Sequence, residues 1–146
     1  DYNDFTWYGR GPWENYIDRN TDTFMGIWNG KVEEQAYPYY RPQETGNKTD
    51  VRWLTLKNKD GRGITVEGAQ PLSVSATNNR PEDLDPGMTK KQQHWSDILP
   101  RNEVVLCVDL FQRGVAGLNS WGAKPLDQYR FQGKEYKYSY TINVIK

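Results

Sequence analysis

The chain has 146 residues, about one domain's worth, with 19 basic and 19 acidic residues and no formal net charge; a domain of that length buries roughly two-thirds of its unfolded surface, so a real core is available. The charge balance excludes a surface built to track nucleic-acid phosphates, and no apolar run approaches the ~20 residues of a membrane-spanning helix. The lone cysteine, Cys107, excludes an internal disulfide framework and a Cys-rich metal centre, and leaves the compartment open between bacterial periplasm and cytoplasm.

Residues 5–8 predict a short strand that begins without a cap, as would suit a piece cut from a larger sandwich. Residues 20–47, NTDTFMGIWNGKVEEQAYPYYRPQETGN, show no clean period and read as an excursion covering a sheet face. Residues 51–56 and 63–70 flank KNKDGRG, in which Asp60-Gly61 signals a hairpin because glycine accepts positive φ. Residues 72–77, LSVSAT, alternate again. Helix is scarce: in PEDLDPGMTKKQQHW, Pro81 can open a turn or two and Pro86-Gly87 interrupts them. Residues 103–111, EVVLCVDLF, are apolar on both faces and predict a central strand covered on two sides. Residues 135–145, EYKYSYTINVI, place Tyr136, Tyr138, Tyr140, Ile142 and Val144 on one face of a half-buried strand, with 103–111 as its candidate neighbour. Short strands, turn signals and little helix predict an all-β antiparallel sandwich, one domain or part of one over 1–146.

Six Trp and ten Tyr are many for this length, and such aromatics suit either a β-rich core or a surface that touches sugars, peptides or protein. The catalytic candidates are sparse. His94 has no Cys or second His nearby for zinc; it reads as structural or exposed, against a competing acid–base role. Glycoside hydrolysis needs two carboxylates roughly 5–10 Å apart. Glu14 and Asp18 in RGPWENYIDR, adjacent Glu33 and Glu34, and Glu44 in RPQETGN are available, but Arg10 and Arg19 bracket the first pair as in a satisfied polar network. Asp83 and Asp85 lack the spacing of an EF-hand loop. No nucleophile elbow, P-loop or dinucleotide fingerprint is present.

The remaining feature is GVAGLNSWGAKP, residues 114–125, which puts Trp121 into a glycine-rich turn. Gly114, Gly117 and Gly122 permit backbone turns closed to other residues. Asn119 and Ser120 can bond the local backbone and stiffen the loop. A stiff loop can hold the indole outward as a stacking face for a pyranose, or fold it back as a plug; the residues alone leave both open.

Three motifs in order, WYGRGPWENYIDR (7–19), YPYYRPQETGNKTDVRWLTL (37–56) and GVAGLNSWGAKPLDQYRF (114–131), resemble the C-terminal domain of β-galactosidases of glycoside hydrolase family 2. The resemblance covers nearly the whole chain. It implies a galactose mutarotase-like supersandwich, of which this chain corresponds to the C-terminal half, as the last domain of a long enzyme that performs retaining hydrolysis of terminal β-D-galactosides. The family's catalytic glutamates and its magnesium and sodium ligands lie in a separate barrel, so no catalytic residue, metal or cofactor is expected in this chain. The implied partners are a β-galactoside sugar and the remaining domains of the parent, with pairing or homo-oligomerisation to satisfy exposed strand edges; no nucleic acid or membrane is expected.

In the family a tryptophan on this loop forms part of the sugar platform. The matching residue is Trp121, with Asn119 and Ser120 as its substrate-binding neighbours. The family pattern GxGGDNSWGxxPH is not kept throughout: Ala116 replaces a glycine, Leu118 the acidic residue and Leu126 the histidine. Those changes imply a substrate that can differ from lactose. Two competing readings are a free-standing carbohydrate-binding module that uses Trp121 with neighbours such as Trp28 or Trp95, and a mutarotase-like enzyme in which His94 would serve.

Overall fold

The computed structural model describes residues 1–146 except 86, 90, 91, 116–118 and 120. The architecture is all-β and antiparallel, as the alternation predicts. Six strands are described: β1 (Asp4–Gly11), β2 (Phe24–Lys31), β3 (Lys48–Lys57), β4 (Gly63–Thr77), β5 (Val105–Asp109) and β6 (Tyr140–Ile145). Among the described residues the one α-helix, α1 (Pro81–Leu84), opens on Pro81, whose missing N–H no helical turn needs at that position. Pro86 lies outside the described residues.

The sheet order is β2-β1-β3-β4-β5, with β6 also on β4. Residues directly opposite one another share a face, so the pairings define rows across the sheet. One row runs Trp28, Trp7, Leu54, Val66, Ile142. The next runs Gly30, Phe5, Leu56, Ile64, Val144. The β3–β4 hairpin closes where Gly61 takes φ +79° and the Asn58 side chain accepts the N–H groups of Asp60 and Arg62.

The two segments read as separate strands, 63–70 and 72–77, form one strand. Its first half pairs with β6 and its second half with β5. Between them the β3 register shifts, and Pro71 has no N–H to give a ladder. The strand curls at this point. Positions 64 and 76 would lie roughly 40 Å apart on a straight strand, yet Ile64 lines the same groove as Leu106, which is the partner of Ala76. Both halves therefore face one core, in which Phe5, Trp7, Val51, Leu54, Leu56, Val66, Leu72, Val74 and Ala76 are buried.

Four expectations are corrected. Residues 20–47 hold a full strand, β2, which alternation does not reveal because Gly26 sits where a side chain would strike Trp28. Residues 103–111 are not central: β5 lies at an edge, and each of its residues is only half-buried. The neighbour of β6 is β4, not β5. The strand β6 is also shorter than 135–145 and mostly exposed rather than half-buried. Tyr136 instead packs with Phe111 and Phe131 in an aromatic cluster whose ring centroids lie 5.0–6.1 Å apart.

Candidate functional site

The loop that carries Trp121 is tied down at its root. Gly114 donates its N–H to the Tyr129 carbonyl at 2.7 Å, and the Val115 N–H donates to Asp18 Oδ1 at 3.2 Å. No side chain fits at 114, because a Cβ there would lie 2.3 Å from Asp18 Oδ2 and 2.9 Å from Tyr129 Cβ. On the return, Arg130 donates through Nε to the carbonyl of buried Pro125 and pairs with Asp127 at 2.6 Å. The outgoing arm is thus tied to Asp18 and to the returning arm, which is braced by its own contacts, before the tip is reached.

At the tip, Asn119 Oδ1 accepts the Trp121 N–H at 2.8 Å, an Asx turn of the kind short polar side chains make in loops. Gly122 follows at φ +85°, a conformation that L side chains rarely adopt. The Trp121 side chain stands clear of this chain, 92% exposed. Leu126 is also exposed. Ser120, together with Ala116, Gly117 and Leu118, lies outside the described residues.

Glu14 and Asp18, the carboxylates that Arg10 and Arg19 bracket in sequence, have different tasks. Asp18 anchors the loop. The side chain of Glu14 is only 7% exposed and is held by hydrogen bonds on both oxygens. Oε1 accepts from the Tyr39 hydroxyl and from Arg19, and Oε2 accepts from the Gly46 N–H at 2.8 Å and the Thr45 hydroxyl at 3.0 Å. This is the satisfied network that the flanking arginines suggest. Burial, reinforced by the Glu14 charge, pushes the Tyr16 hydroxyl well above the ordinary phenol range and raises Tyr39 as well.

Beside it, Asn15 clamps the first two motifs together. Its Nδ2 donates to the carbonyls of Arg10 and Trp13, while its Oδ1 accepts the Thr49 N–H at 2.8 Å. Asn47 returns a bond to the Asn15 carbonyl at 2.8 Å and accepts one from Ser73. Asn15 and Asn47 escape a search for titratable groups, although both sit inside the quoted motifs. Lys48 is buried here too, with Nζ 3.1 Å from the Gly46 carbonyl and 5.1 Å from the Trp7 ring centroid. Burial lowers its pKa to about 8, against the pull of Glu14.

The other candidates scatter. Desolvation raises Glu44 and Asp109, with Gln112 bonding to each in opposition. Glu34 accepts the Lys31 N–H. Asp83 receives two bonds from Arg101 at 2.6 and 2.7 Å, and that guanidinium holds its carboxyl down at about 2. Asp85 accepts the Gly87 N–H. His94 stacks edge-on against Tyr40, with centroids 4.8 Å apart. Trp28 packs against the buried core rather than standing out as a second platform. Among the described residues, no three His, Cys, Asp or Glu side chains are grouped to hold a metal ion.

A family described as the β-galactosidase small chain matches residues 1–142. A β-galactosidase of Priestia megaterium is 38% identical over 145 residues, covering 99% of this chain and 14% of that protein. A β-galactosidase of Halalkalibacterium halodurans is 31% identical over 147 residues, again 99% of this chain and 14% of the relative. A β-galactosidase of Kluyveromyces lactis is 32% identical over 145 residues, 97% of this chain and 13% of the relative. The chain thus spans about 14% of the length of the first two relatives. With all but its last four residues inside the match, the chain belongs to the β-galactosidase small-chain family.

Proposed function

We propose that this chain is a non-catalytic part of a β-galactosidase, and that Trp121 supplies an apolar wall of the sugar site while the catalytic glutamates belong to the rest of the parent polypeptide. The observation that carries this reading is an indole 92% exposed on a loop whose root is fixed to Asp18. An indole in water is unfavourable unless something covers it. A pyranose can, because its C–H face matches the ring while its hydroxyls bond nearby polar groups. The Asx bond from Asn119 fixes the backbone at Trp121, so less freedom is lost when sugar arrives. Ser120, adjacent to Trp121 in sequence, shares the proposed sugar-binding role. The role is stacking and exclusion of water, with no proton transferred by this chain. No metal or cofactor enters that role.

The test is kinetic, in the full-length enzyme that carries this chain. An indole stack worth about 1–1.5 kcal/mol corresponds to roughly tenfold in kcat/KM. Trp121→Ala should therefore lower kcat/KM for a β-galactoside about tenfold, and Trp121→Phe should recover part of the loss. Unchanged kinetics in Trp121→Ala would remove the assignment. Titration of the 146-residue chain with galactose or lactose, followed by NMR, separates the free-standing binding module, which requires measurable affinity. Hydrolysis by the 146-residue chain alone would overturn the non-catalytic reading.

A further inference from the structure

The indole of Trp121 is only as well placed as the point from which its loop leaves the body, and that point meets a residue far away in sequence. Asp18, 97 positions before Val115, accepts the Val115 N–H on Oδ1 at 3.2 Å. Its Oδ2 lies where a Cβ on Gly114 would come within 2.3 Å. One carboxylate therefore touches two consecutive residues of the outgoing arm. Asp18 is itself held on a short reversal. The Tyr16 N–H donates to the Arg19 carbonyl and the Arg19 N–H to the Tyr16 carbonyl, both at 2.9 Å. Tyr16 is buried, and Arg19 reaches the Tyr39 hydroxyl at 2.8 Å and the enclosed Glu14 carboxylate. The first two motifs thus hold the turn, and the turn presents Asp18 to the third.

We propose that Asp18 is a positioning residue for the sugar site: it touches no sugar and moves no proton, and acts by setting where and at what angle the Trp121 loop leaves the body. This rests on the assignment of Trp121 as a sugar wall and names the residue that aims it. Two arguments favour aim over plain stability. The bond to Val115 is exposed, and one such bond adds little to the folding of a whole domain. Its leverage on the ring is large. Six residues carry the chain from 115 to 121 and can reach at most ~20 Å, so a tilt of roughly 5° at the root shifts the ring by up to ~2 Å. A misplacement of about 1 Å is enough to weaken a productive contact severely. The geometry also says what position 18 must supply. Its partner is a neutral backbone N–H, so the requirement is an acceptor at the right reach, not a charge.

The test is a double-mutant cycle in the full-length enzyme that carries this chain, read as kcat and KM for a β-galactoside. Asp18→Ala should lower kcat/KM by about 3- to 10-fold, divided between KM and kcat in the same way as in Trp121→Ala. Added to Trp121→Ala, it should cost less than about 2-fold more, because no ring is left to misplace. Asp18→Asn, which keeps the acceptor and drops the charge, should retain most of the activity. Asp18→Glu keeps the charge but lengthens the side chain, and should lose activity only while Trp121 is present; it replaces Asp18→Ala in the cycle if that variant fails to fold. An equal loss from Asp18→Ala with and without Trp121 would overturn the proposal, since a general structural role or a direct sugar contact gives that result. So would unaltered kinetics in Asp18→Ala beside a tenfold loss in Trp121→Ala; either result leaves the Trp121 assignment standing. Unaltered kinetics in Trp121→Ala would remove that assignment, and this proposal with it.

Discussion

Lys48 shows how a single residue ties stability to pH. Its ammonium is buried, with the Gly46 carbonyl and the Trp7 face as its named contacts. The folded-state pKa of about 8 lies below the ordinary 10.5. The folded chain thus gives up this proton more readily than the unfolded chain. The resulting penalty is fully present below pH 8 and is relieved as pH rises from 8 towards 10.5. At 1.36 kcal/mol per unit this is about 3 kcal/mol, partly offset by the two contacts. Lys48→Met should therefore raise stability at pH 7 by about 1–3 kcal/mol and flatten the pH dependence above pH 8, as measured by urea unfolding across that range. Gly114 gives a prediction of a different kind. Gly114→Ala must push Asp18 away from the loop root. It should cut the parent's kcat/KM by about the amount lost in Trp121→Ala, if the root positions the ring, while Trp121 fluorescence reports a changed environment.

At the scale of the element, the β3–β4 hairpin has least tolerance at Gly63. A Cβ there would fall 1.8 Å from the Leu56 carbonyl oxygen, and backbone cannot yield as a side-chain tip can. Gly63→Ala should cost about 2–3 kcal/mol, seen as a lower urea midpoint. Alternation made much of β1, β3 and β4 legible because Phe5 and Trp7, Leu54 and Leu56, and Leu72, Val74 and Ala76 recur at every second position with buried side chains. It failed for β2 because Gly26 and Gly30 occupy the inward positions beside Trp28. Those glycines leave room for side chains, which is a property of packing and not of pattern. For β5 and β6, alternation identified a strand but not its cover: a period says which residues share a face, never whether anything lies on it. The site was legible to a similar depth. GVAGLNSWGAKP marks a turn with an indole, whereas the contact of its root with Asp18, 97 positions away from Val115, exists only in three dimensions.

For the whole molecule, the uneven cover sets behaviour in isolation. Phe24, Ile27, Ile142 and Val144 are exposed apolar side chains on strands at sheet margins. Such margins recruit other chains unless they are charged or capped. The 146-residue chain alone should self-associate as concentration rises, and Ile142→Lys with Val144→Lys should reduce that association in sedimentation velocity.

The curl of β4 has one more consequence. No regular ladder crosses Pro71: β6 pairs with 63–68, β5 with 73–77, and β3 continues past it only by slipping register. The longest strand of the molecule is therefore, to its neighbours, two short ones. Tolerance of inserted or deleted residues in an adjoining strand should be greatest opposite that seam, where a shift in length on one side need not be transmitted to the other.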